Sequence, residues 1–509
     1  MSEQSNSNTL IDLLEAGSPS HPAIQVPEGP TITYDSLRLQ VSSLSKQLRS
    51  LGIQRTDRIA SVLPNSPENI VSFLAVSTTA TAAPLNPAYK ADEFNFYLKD
   101  TQAKALITPP EGGETAQQAA PEGTLQICSS LRDGEVVFET SNKENSPSEE
   151  IPGPEDIALV LHTSGTTSRP KRVPLTHRNL ITSVDNIVNT YQLTSEDASL
   201  CVMPLFHVHG LMASVLSTFA SGGTVVVPPR FNALTFWNAV RDCDVTWFTA
   251  VPTMHQTLLA RARKKDGKSR NPDLYKKLRF IRSCSASLPA AAMMEMEKLF
   301  GVPVLEAYGM TEASHQMSSN PLPPDKRLPG TVGCGTGVSI AIANEEGTLQ
   351  PPGTRGEVVI QGPNVISGYE DNPEANASSF TNGWFRTGDE GVLDSEGYLS
   401  LMGRLKELIN RSGEKISPLE IDEVLLSHPA IAEAVAFATP HSTHGEEPTA
   451  AVVVKNPITE SDLISHCKEH LADFKCPRTI YIVDQIPRTA TGKIQRRKVA
   501  EVFAKDVSE

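Results

Sequence analysis

The sequence predicts an α/β fold in two parts: a large N-terminal domain of parallel or mixed sheets with crossover helices, and a smaller, mobile α+β domain at the C-terminus. Three observations support this prediction. The chain has 509 residues, more than one hydrophobic core normally serves. Strand-like and helix-like runs alternate through roughly the first four-fifths of the chain. After residue 404 the pattern changes to a short helix, two strands and another helix.

The alternation is clearest where an apolar run is followed directly by an amphipathic one. "RIASVLP" precedes "SPENIVSFLAVSTTA", and "GTVVVPP" precedes "NALTFWNAVRDC". "LRFIRSCSA" leads into "PAAAMMEMEKLFG" and then into the strand-like run "VPVLEAYG". A strand, a helix and another strand in this order favour parallel pairing with a crossover helix. We therefore predict an N-terminal domain over residues 1–403.

The C-terminal unit begins with a recognisable helix start. In "SPLEIDEVLLSHPAI", Ser417 is predicted as the N-cap, Pro418 as the first helical residue and Glu420 as the third. The strand-like runs "AEAVAFAT" and "TAAVVVK" follow, and then the helical run "TESDLISHCKEHLAD". We assign residues 404–509 to this domain. Within the N-terminal domain, "NKENSPSEE" (142–150) is predicted to be an exposed, mobile loop.

Composition and charge limit the classes of function. The formal net charge of −14 argues against general binding to nucleic acid or anionic membranes. The seven cysteines contain no C-x-x-C pair, which is typical of reduced thiols in a reducing compartment. The N-terminus has no secretory signal pattern, no apolar run approaches a membrane span, and the chain does not end in an S-K-L-type peroxisomal signal. We expect a cytoplasmic protein, either a monomer or a homodimer.

The stretch "LHTSGTTSRPKRVPLT" (161–176) follows the apolar run "DIALVL" and is rich in small hydroxyl side chains. Glycine allows backbone N–H groups to approach phosphate oxygens closely, and hydroxyls add donors. The common P-loop does not fit, because Gly165 lies six residues before Lys171 and no second glycine precedes the lysine. Taken alone, the stretch is equally well explained as a flexible surface turn.

Four further stretches carry side chains suited to nucleotide chemistry. "EAYGMTEA" (306–313) contains Tyr308, Thr311 and Glu312, which could stack on a base, donate to phosphate and hold Mg²⁺. "WFRTGDEG" contributes Asp389 and "GRLKE" contributes Arg404; "PRTATGKIQRR" contains a lysine in a glycine-containing turn, Lys493. Each of these residues, taken singly, is more often structural than functional.

In this order, the motifs resemble the adenylate-forming superfamily of acyl-CoA synthetases, luciferases and peptide-synthetase adenylation domains over nearly the whole chain. The resemblance implies ATP, Mg²⁺ and coenzyme A as ligands. It also implies that the loop wraps the β- and γ-phosphates of ATP through the residues that match the family pattern: Thr163, Ser164, Gly165, Thr166, Thr167 and Lys171. Many members have glycine where this chain has Arg172, which leaves the mobility of the loop open.

The same resemblance implies a role for each of the other motifs. A substrate carboxylate attacks the α-phosphate of Mg·ATP, with Lys493 between the two anions, Thr311 on phosphate and Glu312 on Mg²⁺. Tyr308 stacks on adenine, and Asp389 and Arg404 hold the ribose. Two neighbours of Tyr308 are expected to line the nucleotide site, namely Glu306 and Ala307.

The resemblance further implies that one site serves two reactions by domain motion. The C-terminal domain is expected to swing about Lys406, which removes Lys493 and brings the turn at Gly413 against the pantetheine of CoA. The CoA thiolate then attacks the acyl-adenylate and AMP leaves.

Polar residues in three stretches suggest the kind of acid. "MPLFHVHGLM" contains His207, which matches a family position near the acyl site, and His209, which would share its face of an extended strand. "RSCSASL" contributes Ser285, and "TEASHQMSSNPLP" contributes His315. A zinc site is a weak alternative, because no third ligand lies at metal spacing. A second alternative is that the three serines of "RSCSASL", Ser283, Ser285 and Ser287, line the adenine pocket and His315 packs against the backbone.

Serine and histidine together suit a short, polar, doubly charged acid better than a fatty acyl chain. "PLFHVHGL", "RFIRSCSASL" and "GPNVISGYEDNPEAN" also resemble the plant and fungal acyl-activating enzymes that use oxalate. We therefore expect a small carboxylic acid, with oxalate as the predicted substrate. Short- or medium-chain and aryl acyl-CoA synthetases, a stand-alone enzyme that loads a carrier protein, and a nucleotide-binding protein without catalysis remain alternatives.

Overall fold

The computed structural model describes seven segments of the chain: residues 8–142, 150–163, 170–262, 272–412, 414–441, 443–488 and 494–503. Four β-sheets and their flanking helices organise these segments. The predicted loop "NKENSPSEE" lies almost entirely outside the described residues; its two ends, Asn142 and Glu150, are exposed.

The largest sheet has nine strands in the order β16-β15-β14-β13-β12-β10-β11-β1-β2. Its central pairs from β1 to β14 are parallel, while β2, β15 and β16 are added antiparallel at the two edges. Its strands are β1 (Pro22–Gln25), β2 (Thr31–Thr33), β10 (Ala198–Leu200), β11 (Thr224–Val226), β12 (Trp247–Ala250), β13 (Phe280–Ser283), β14 (Val304–Met310), β15 (His315–Ser319) and β16 (Cys334–Gly335).

A seven-stranded sheet packs beside it, in the order β7-β6-β5-β3-β4-β8-β9. Its inner strands are parallel, and each edge is an antiparallel hairpin, β6–β7 and β8–β9. Its strands are β3 (Arg58–Ser61), β4 (Thr81–Pro84), β5 (Ala105–Thr108), β6 (Leu125–Arg132), β7 (Glu135–Glu139), β8 (Ile157–Thr163) and β9 (Lys171–Thr176).

A third sheet of six antiparallel strands has the order β18-β17-β19-β21-β20, with β22 paired to β21. Its strands are β17 (Ser339–Ala343), β18 (Leu349–Gln350), β19 (Arg355–Gln361), β20 (Phe380–Thr381), β21 (Trp384–Leu393) and β22 (Leu399–Arg404). One continuous apolar core joins parts of all three sheets. This arrangement of mixed sheets and crossover helices agrees with the predicted fold class.

The fourth sheet is formed only by residues after Arg404, in the order β24-β23-β26-β25 with β27 paired to β26. Its strands are β23 (Ile409–Arg411), β24 (Glu414–Ile416), β25 (Ile431–His441), β26 (Gly445–Val454) and β27 (Thr479–Ile482). It has its own apolar clusters, built around residues such as Ile421, Val435 and Leu463. The boundary between residues 403 and 404 remains a prediction.

Thirteen α-helices are found among the described residues. They are α1 (Tyr34–Ser50), α2 (Pro67–Ser77), α3 (Ala91–Thr101), α4 (Glu114–Ala119), α5 (His177–Tyr191), α6 (Ser217–Ala220), α7 (Phe236–Asp242), α8 (Pro252–Ala262), α9 (Ala290–Phe300), α10 (Pro373–Ser379), α11 (Pro418–Ser427), α12 (Glu460–His470) and α13 (Arg496–Phe503). Ser417 caps α11 by accepting the Glu420 N–H at 3.4 Å, as its sequence indicates. No helix in the described part of the chain is long and apolar enough to cross a membrane.

Candidate active site

The strands on either side of the predicted phosphate-binding loop, β8 and β9, pair antiparallel, and we call this pair the β8–β9 hairpin. Thr163 at the end of β8 pairs with Lys171 at the start of β9, so the two ends of the loop lie side by side. The loop itself includes Ser164, Gly165, Thr166 and Thr167, which lie outside the described residues. The hairpin brings Thr163 and Lys171, two of the predicted ATP ligands, to one place.

Tyr369 lies between Lys171 and Glu312 and contacts both side chains. The Lys171 Nζ lies 4.3 Å from the centre of the ring, and the tyrosine hydroxyl donates to Glu312 Oε1 at 2.9 Å. Burial lowers the pKa of Lys171, Glu312 opposes this effect, and Lys406 adds to it. Because Glu312 and Thr311 are both more than nine-tenths buried, the carboxylate is held in a fixed position beside the hairpin.

Arg172 lies on the opposite side of β9, in a cluster of carboxylates. Its Nε donates to Glu370 at 3.1 Å, its Nη1 donates to the Asp100 carbonyl at 2.6 Å, and it also pairs with Asp371. The Arg172 side chain is only 11% exposed, and Glu370 also binds Arg58 at 2.9 Å. The arginine that replaces the common glycine therefore fastens the hairpin to α3 and to the segment before α10.

The predicted adenine and ribose residues form a chain of contacts. The Tyr308 hydroxyl donates to Asp389, and Asp389 Oδ1 pairs with Arg404 Nε at 2.7 Å. Asp389 is nearly buried, and burial raises its pKa while Arg404 opposes the rise. β14 and the β21–β22 pair thus place these three side chains at the same point, as expected for one nucleotide site.

Glu306 and Ala307 precede Tyr308 in β14 and are both buried. Glu306 Oε1 accepts the Leu288 N–H at 2.8 Å, while Oε2 has no hydrogen-bond partner among the described residues. Burial raises the pKa of Glu306 to about 8, so the carboxyl is largely protonated at neutral pH. A protonated Oε2 can act as a hydrogen-bond donor.

The predicted acid-binding residues come together beside β13. His209 Nδ1 lies 3.0 Å from Ser285 Oγ, and the rings of His209 and His315 stack with their centres 5.1 Å apart. Both histidines are buried, whereas Ser285 is partly exposed. Ser285 is therefore the member of this group that a small ligand can reach directly, and His209 orients it.

His207 does not share a strand face with His209, so that expectation is wrong. A π-helical segment, His209–Leu216, begins at the second histidine, and His207 Nδ1 accepts the His209 N–H at 3.1 Å. The preceding turn is tight: a Cβ at Gly210 would lie 2.4 Å from the Pro204 carbonyl oxygen. The zinc alternative also gains no support, since neither histidine belongs to a possible three-ligand metal group within the described residues.

Arg282 is a site residue that the sequence reasoning missed. It lies in β13 directly opposite Thr249 of β12, is 0% exposed, and contacts both predicted histidines. An arginine inside the strand-like run "LRFIRSCSA", directly after the apolar pair Phe280 and Ile281, was the available signal. A charged residue that interrupts a buried strand usually has a specific partner.

The hinge candidate Lys406 is exposed, in a 3₁₀ turn (Leu405–Glu407) directly after β22. Gly413 and Lys493 lie outside the described residues. One contact crosses the predicted boundary, since Ser417 donates to the Met402 carbonyl, and Arg496 pairs with Glu407 at the end of the turn at 3.4 Å. The roles predicted for Lys406, Gly413 and Lys493 stay predictions.

Two protein families and several known enzymes are similar to this chain over most of its length. The family described as AMP-binding enzyme matches residues 15–370, and the AMP-binding enzyme C-terminal domain matches residues 420–493. A probable CoA ligase of Humulus lupulus is 49% identical over 94% of this chain and 92% of its own length. An oxalate–CoA ligase of Arabidopsis thaliana is 47% identical over 98% of this chain and 99% of its own.

A solved structure has the same fold. ATP-bound MatB from Rhodopseudomonas palustris superposes with a TM-score of 0.87 and 30% identity, covering 99% of this chain and 100% of MatB. The fold class predicted from the sequence is thereby confirmed, including the large N-terminal and smaller C-terminal parts. With the family match to well over half of its residues, the chain belongs to the AMP-binding enzymes, as its motifs indicate.

Proposed function

We propose that this AMP-binding enzyme is an ATP-dependent CoA ligase that converts oxalate to oxalyl-CoA. The observation that carries the choice of acid is the polar group at the end of β13, in which Ser285, His209 and His315 surround the buried Arg282. A second carboxylate without an alkyl stem needs hydrogen-bond donors and positive charge, which an apolar acyl tunnel lacks. The relative from A. thaliana named oxalate–CoA ligase supports the same acid.

The first reaction joins two anions, so the enzyme must offset their repulsion. Two unit charges about 4 Å apart repel by roughly 4 kcal/mol at an effective dielectric constant of about 20. An oxalate oxygen forms a bond to the α-phosphorus of ATP, and the bond to pyrophosphate breaks. We assign Lys171 and the loop hydroxyls to the β- and γ-phosphates, Thr311 to phosphate, and Lys493 to the reacting carboxylate and α-phosphate.

Glu312 is the residue that would hold Mg²⁺. Mg²⁺ commonly takes one or two protein carboxylates and completes its coordination with phosphate oxygens and water. Glu312 fits this role, because Tyr369 donates to one carboxylate oxygen, Oε1, and fixes the group beside Lys171. The ion would neutralise charge on the phosphates, while the nucleoside is held by Tyr308, Asp389 and Arg404.

The second reaction is the attack of the CoA thiolate on the acyl carbon of oxalyl-AMP, which breaks the bond to AMP. We propose that the domain after residue 403 turns about Lys406 between the two reactions, with Gly413 meeting the pantetheine. The exposed turn that contains Lys406 supports this assignment, since a turn between separate sheets can absorb backbone rotation with few packing contacts. His207 is proposed to lie near the reacting acyl group.

The test is acid-dependent release of pyrophosphate, measured with and without CoA, together with identification of the products. With oxalate, ATP and Mg²⁺ alone, we expect a burst of pyrophosphate of about one equivalent per site, followed by slow turnover. Adding CoA should give continuous formation of AMP, pyrophosphate and oxalyl-CoA. Pyrophosphate release without a CoA thioester would point instead to an enzyme that transfers the acyl group to another acceptor.

A further inference from the structure

Arg282 carries a buried positive charge without a carboxylate partner. Its side chain is 0% exposed, and no ion pair between described residues includes it. Its hydrogen bonds go instead to neutral groups: Nε donates to the Tyr191 hydroxyl at 2.8 Å, and Nη2 donates to Gln316 Oε1 at 2.9 Å. Arginine stays charged in proteins, and buried charges are normally paired. No carboxylate among the described residues therefore neutralises this charge.

Arg282 also fixes which nitrogen of each histidine carries the proton. A guanidinium can only donate, so His315 Nε2, 3.1 Å from Nη2, must be an acceptor. Nη1 lies 3.4 Å from His209 Nε2, so that nitrogen is an acceptor as well. Nη1 also donates to Thr249 Oγ1 at 3.0 Å, and the Thr249 hydroxyl donates to His209 Nε2 at 2.6 Å. Both rings are therefore neutral, with the proton on Nδ1.

The proton on His209 Nδ1 determines the direction of the next hydrogen bond. It is donated to Ser285 Oγ, 3.0 Å away, which leaves the serine hydroxyl free to donate its own proton to a ligand. The chain from Arg282 through Thr249 and His209 to Ser285 thus ends in a donor at the partly exposed residue. Cooperative polarisation along such a chain strengthens its last donor.

The backbone at this place is held in an unusual conformation. Ser285 has φ of 77° and His315 has φ of 100°, both in the left-handed region that non-glycine residues rarely adopt. The neighbouring Ser314 is fixed by two short bonds, from Ser183 Oγ to its carbonyl at 2.6 Å and from its own hydroxyl to the Asn364 carbonyl at 2.9 Å. Strain of this kind clusters at ligand sites, where the surrounding structure keeps it in place.

We infer that Arg282 is the positioning residue that makes this site selective for an acid with a second carboxylate. It acts through Ser285 and His315, whose proton positions it sets, and through its unpaired charge, which the second carboxylate of the acid would neutralise. This inference rests on the proposed function, because it concerns the same acid site. A monocarboxylic acid of similar size gains nothing from the buried charge, so the selectivity should disappear when the charge is removed.

The experiment measures kcat/KM for oxalate and for acetate with the wild-type enzyme, Arg282→Met and Arg282→Lys. Arg282→Met should lower kcat/KM for oxalate by about tenfold to a hundredfold, the range for one charge-assisted hydrogen bond, and leave KM for ATP within about twofold. Arg282→Lys retains the cation and should keep the preference for oxalate, with a smaller loss. Tyr191→Phe is the matched control, because it removes one hydrogen-bond partner of Arg282 but not the charge. It should leave the ratio of kcat/KM for oxalate to kcat/KM for acetate unchanged.

The pH dependence provides a readout that a purely structural role would not change. Without the guanidinium, His315 Nε2 no longer faces a cation, so the ring is easier to protonate, and an imidazolium would partly replace the lost charge. In Arg282→Met, kcat/KM for oxalate should therefore rise relative to wild type as the pH falls from about 8 to about 6. The other titratable groups around the pair are His209, whose ring stacks on His315, and Tyr191, Cys284 and His255, and all four are retained in the variant.

The outcomes separate this inference from the proposed function. If the wild-type enzyme prefers oxalate and Arg282→Met keeps that preference at every pH, Arg282 does not set selectivity and the inference is overturned. If the wild-type enzyme itself prefers a monocarboxylic acid, the proposed function fails, whatever Arg282 does. If Arg282→Met does not fold, Arg282→Lys provides the test. A hundredfold fall in its ratio of kcat/KM for oxalate to kcat/KM for acetate would contradict a role for the charge, because the lysine retains the cation.

Discussion

Single side chains at the end of β13 determine what the acid site can bind. Ser285 is partly exposed, and its oxygen accepts a hydrogen bond from His209 Nδ1. Its own hydroxyl is therefore the donor closest to solvent in the group. Its φ of 77° is strained for serine, and the strain is the same for alanine but absent for glycine. This difference allows the hydroxyl and the backbone to be tested separately.

We expect Ser285→Ala to lower kcat/KM for oxalate by about tenfold to a hundredfold, because one hydrogen bond to a charged group is lost. Ser285→Gly removes the same hydroxyl but relieves the backbone strain at this position, and it should lower kcat/KM for oxalate by a similar factor. KM for ATP should change by less than about twofold in both variants. A rise in KM for ATP with unchanged use of oxalate would instead place Ser285 in the adenine pocket, the alternative that the sequence left open.

The sequence identified part of this site and missed the rest for a physical reason. Ser285, His209 and His315 could be selected because they are polar in stretches where an acyl tunnel would be apolar. Arg282 could not be assigned, since its partners Tyr191, Thr249 and Gln316 come from distant positions that only the folded sheet brings together. The same holds for Tyr369, whose two contacts join Lys171 to Glu312.

At the scale of elements, the β8–β9 hairpin positions the ends of the phosphate-binding loop. The sequence predicted the strand before the loop but not the return of Lys171–Thr176 as its antiparallel partner, because strand pairing depends on register between separate segments. The buried contacts of Arg172 with Asp100 and Glu370 then fix the second strand of the hairpin. The residue that departs from the common family pattern therefore has a structural partner in this chain.

We expect Arg172→Gly to loosen this hairpin and to raise KM for ATP by about threefold to tenfold. When preformed oxalyl-AMP is supplied instead of ATP, kcat/KM for CoA in thioester formation should change little. The buried carboxylates left behind should lower the free energy of unfolding by about 1–3 kcal/mol. Arg178→Gly in α5 is the matched control, because its pair with Glu155 is exposed on both sides. An unchanged KM for ATP in Arg172→Gly would mean that the carboxylate contacts do not position the loop.

At the scale of the whole molecule, the chain changes sheets within the few residues around Lys406. The sheets before it contain predicted nucleotide and acid residues, and the sheet after it is formed by the part of the sequence to which Lys493 belongs. The overall class and the start of α11 at Ser417 could be predicted, because periodicity and helix caps are local signals. Which arrangement of the two parts accompanies each reaction depends on bound ligands and cannot be read from local patterns.

We expect Lys406→Pro to slow the thioester-forming reaction more than adenylate formation, because proline fixes φ at the proposed hinge. Lys406→Ala retains backbone freedom and is the matched control. Single-turnover measurements of pyrophosphate release and of oxalyl-CoA formation separate the two steps. Equal rates of both steps in Lys406→Pro and the wild-type enzyme would exclude a hinge at this residue.

The preference of the wild-type enzyme among acids shows whether its acid site is polar. It is measured as kcat/KM for oxalate, malonate, acetate and hexanoate, with the concentrations of ATP, Mg²⁺ and CoA held constant. Because the acid site combines Ser285, His315 and the unpaired charge of Arg282, oxalate should exceed each of the other acids by at least about tenfold. Malonate should come second, since it keeps the second carboxylate at a greater distance. A higher kcat/KM for hexanoate than for oxalate would contradict a polar acid site.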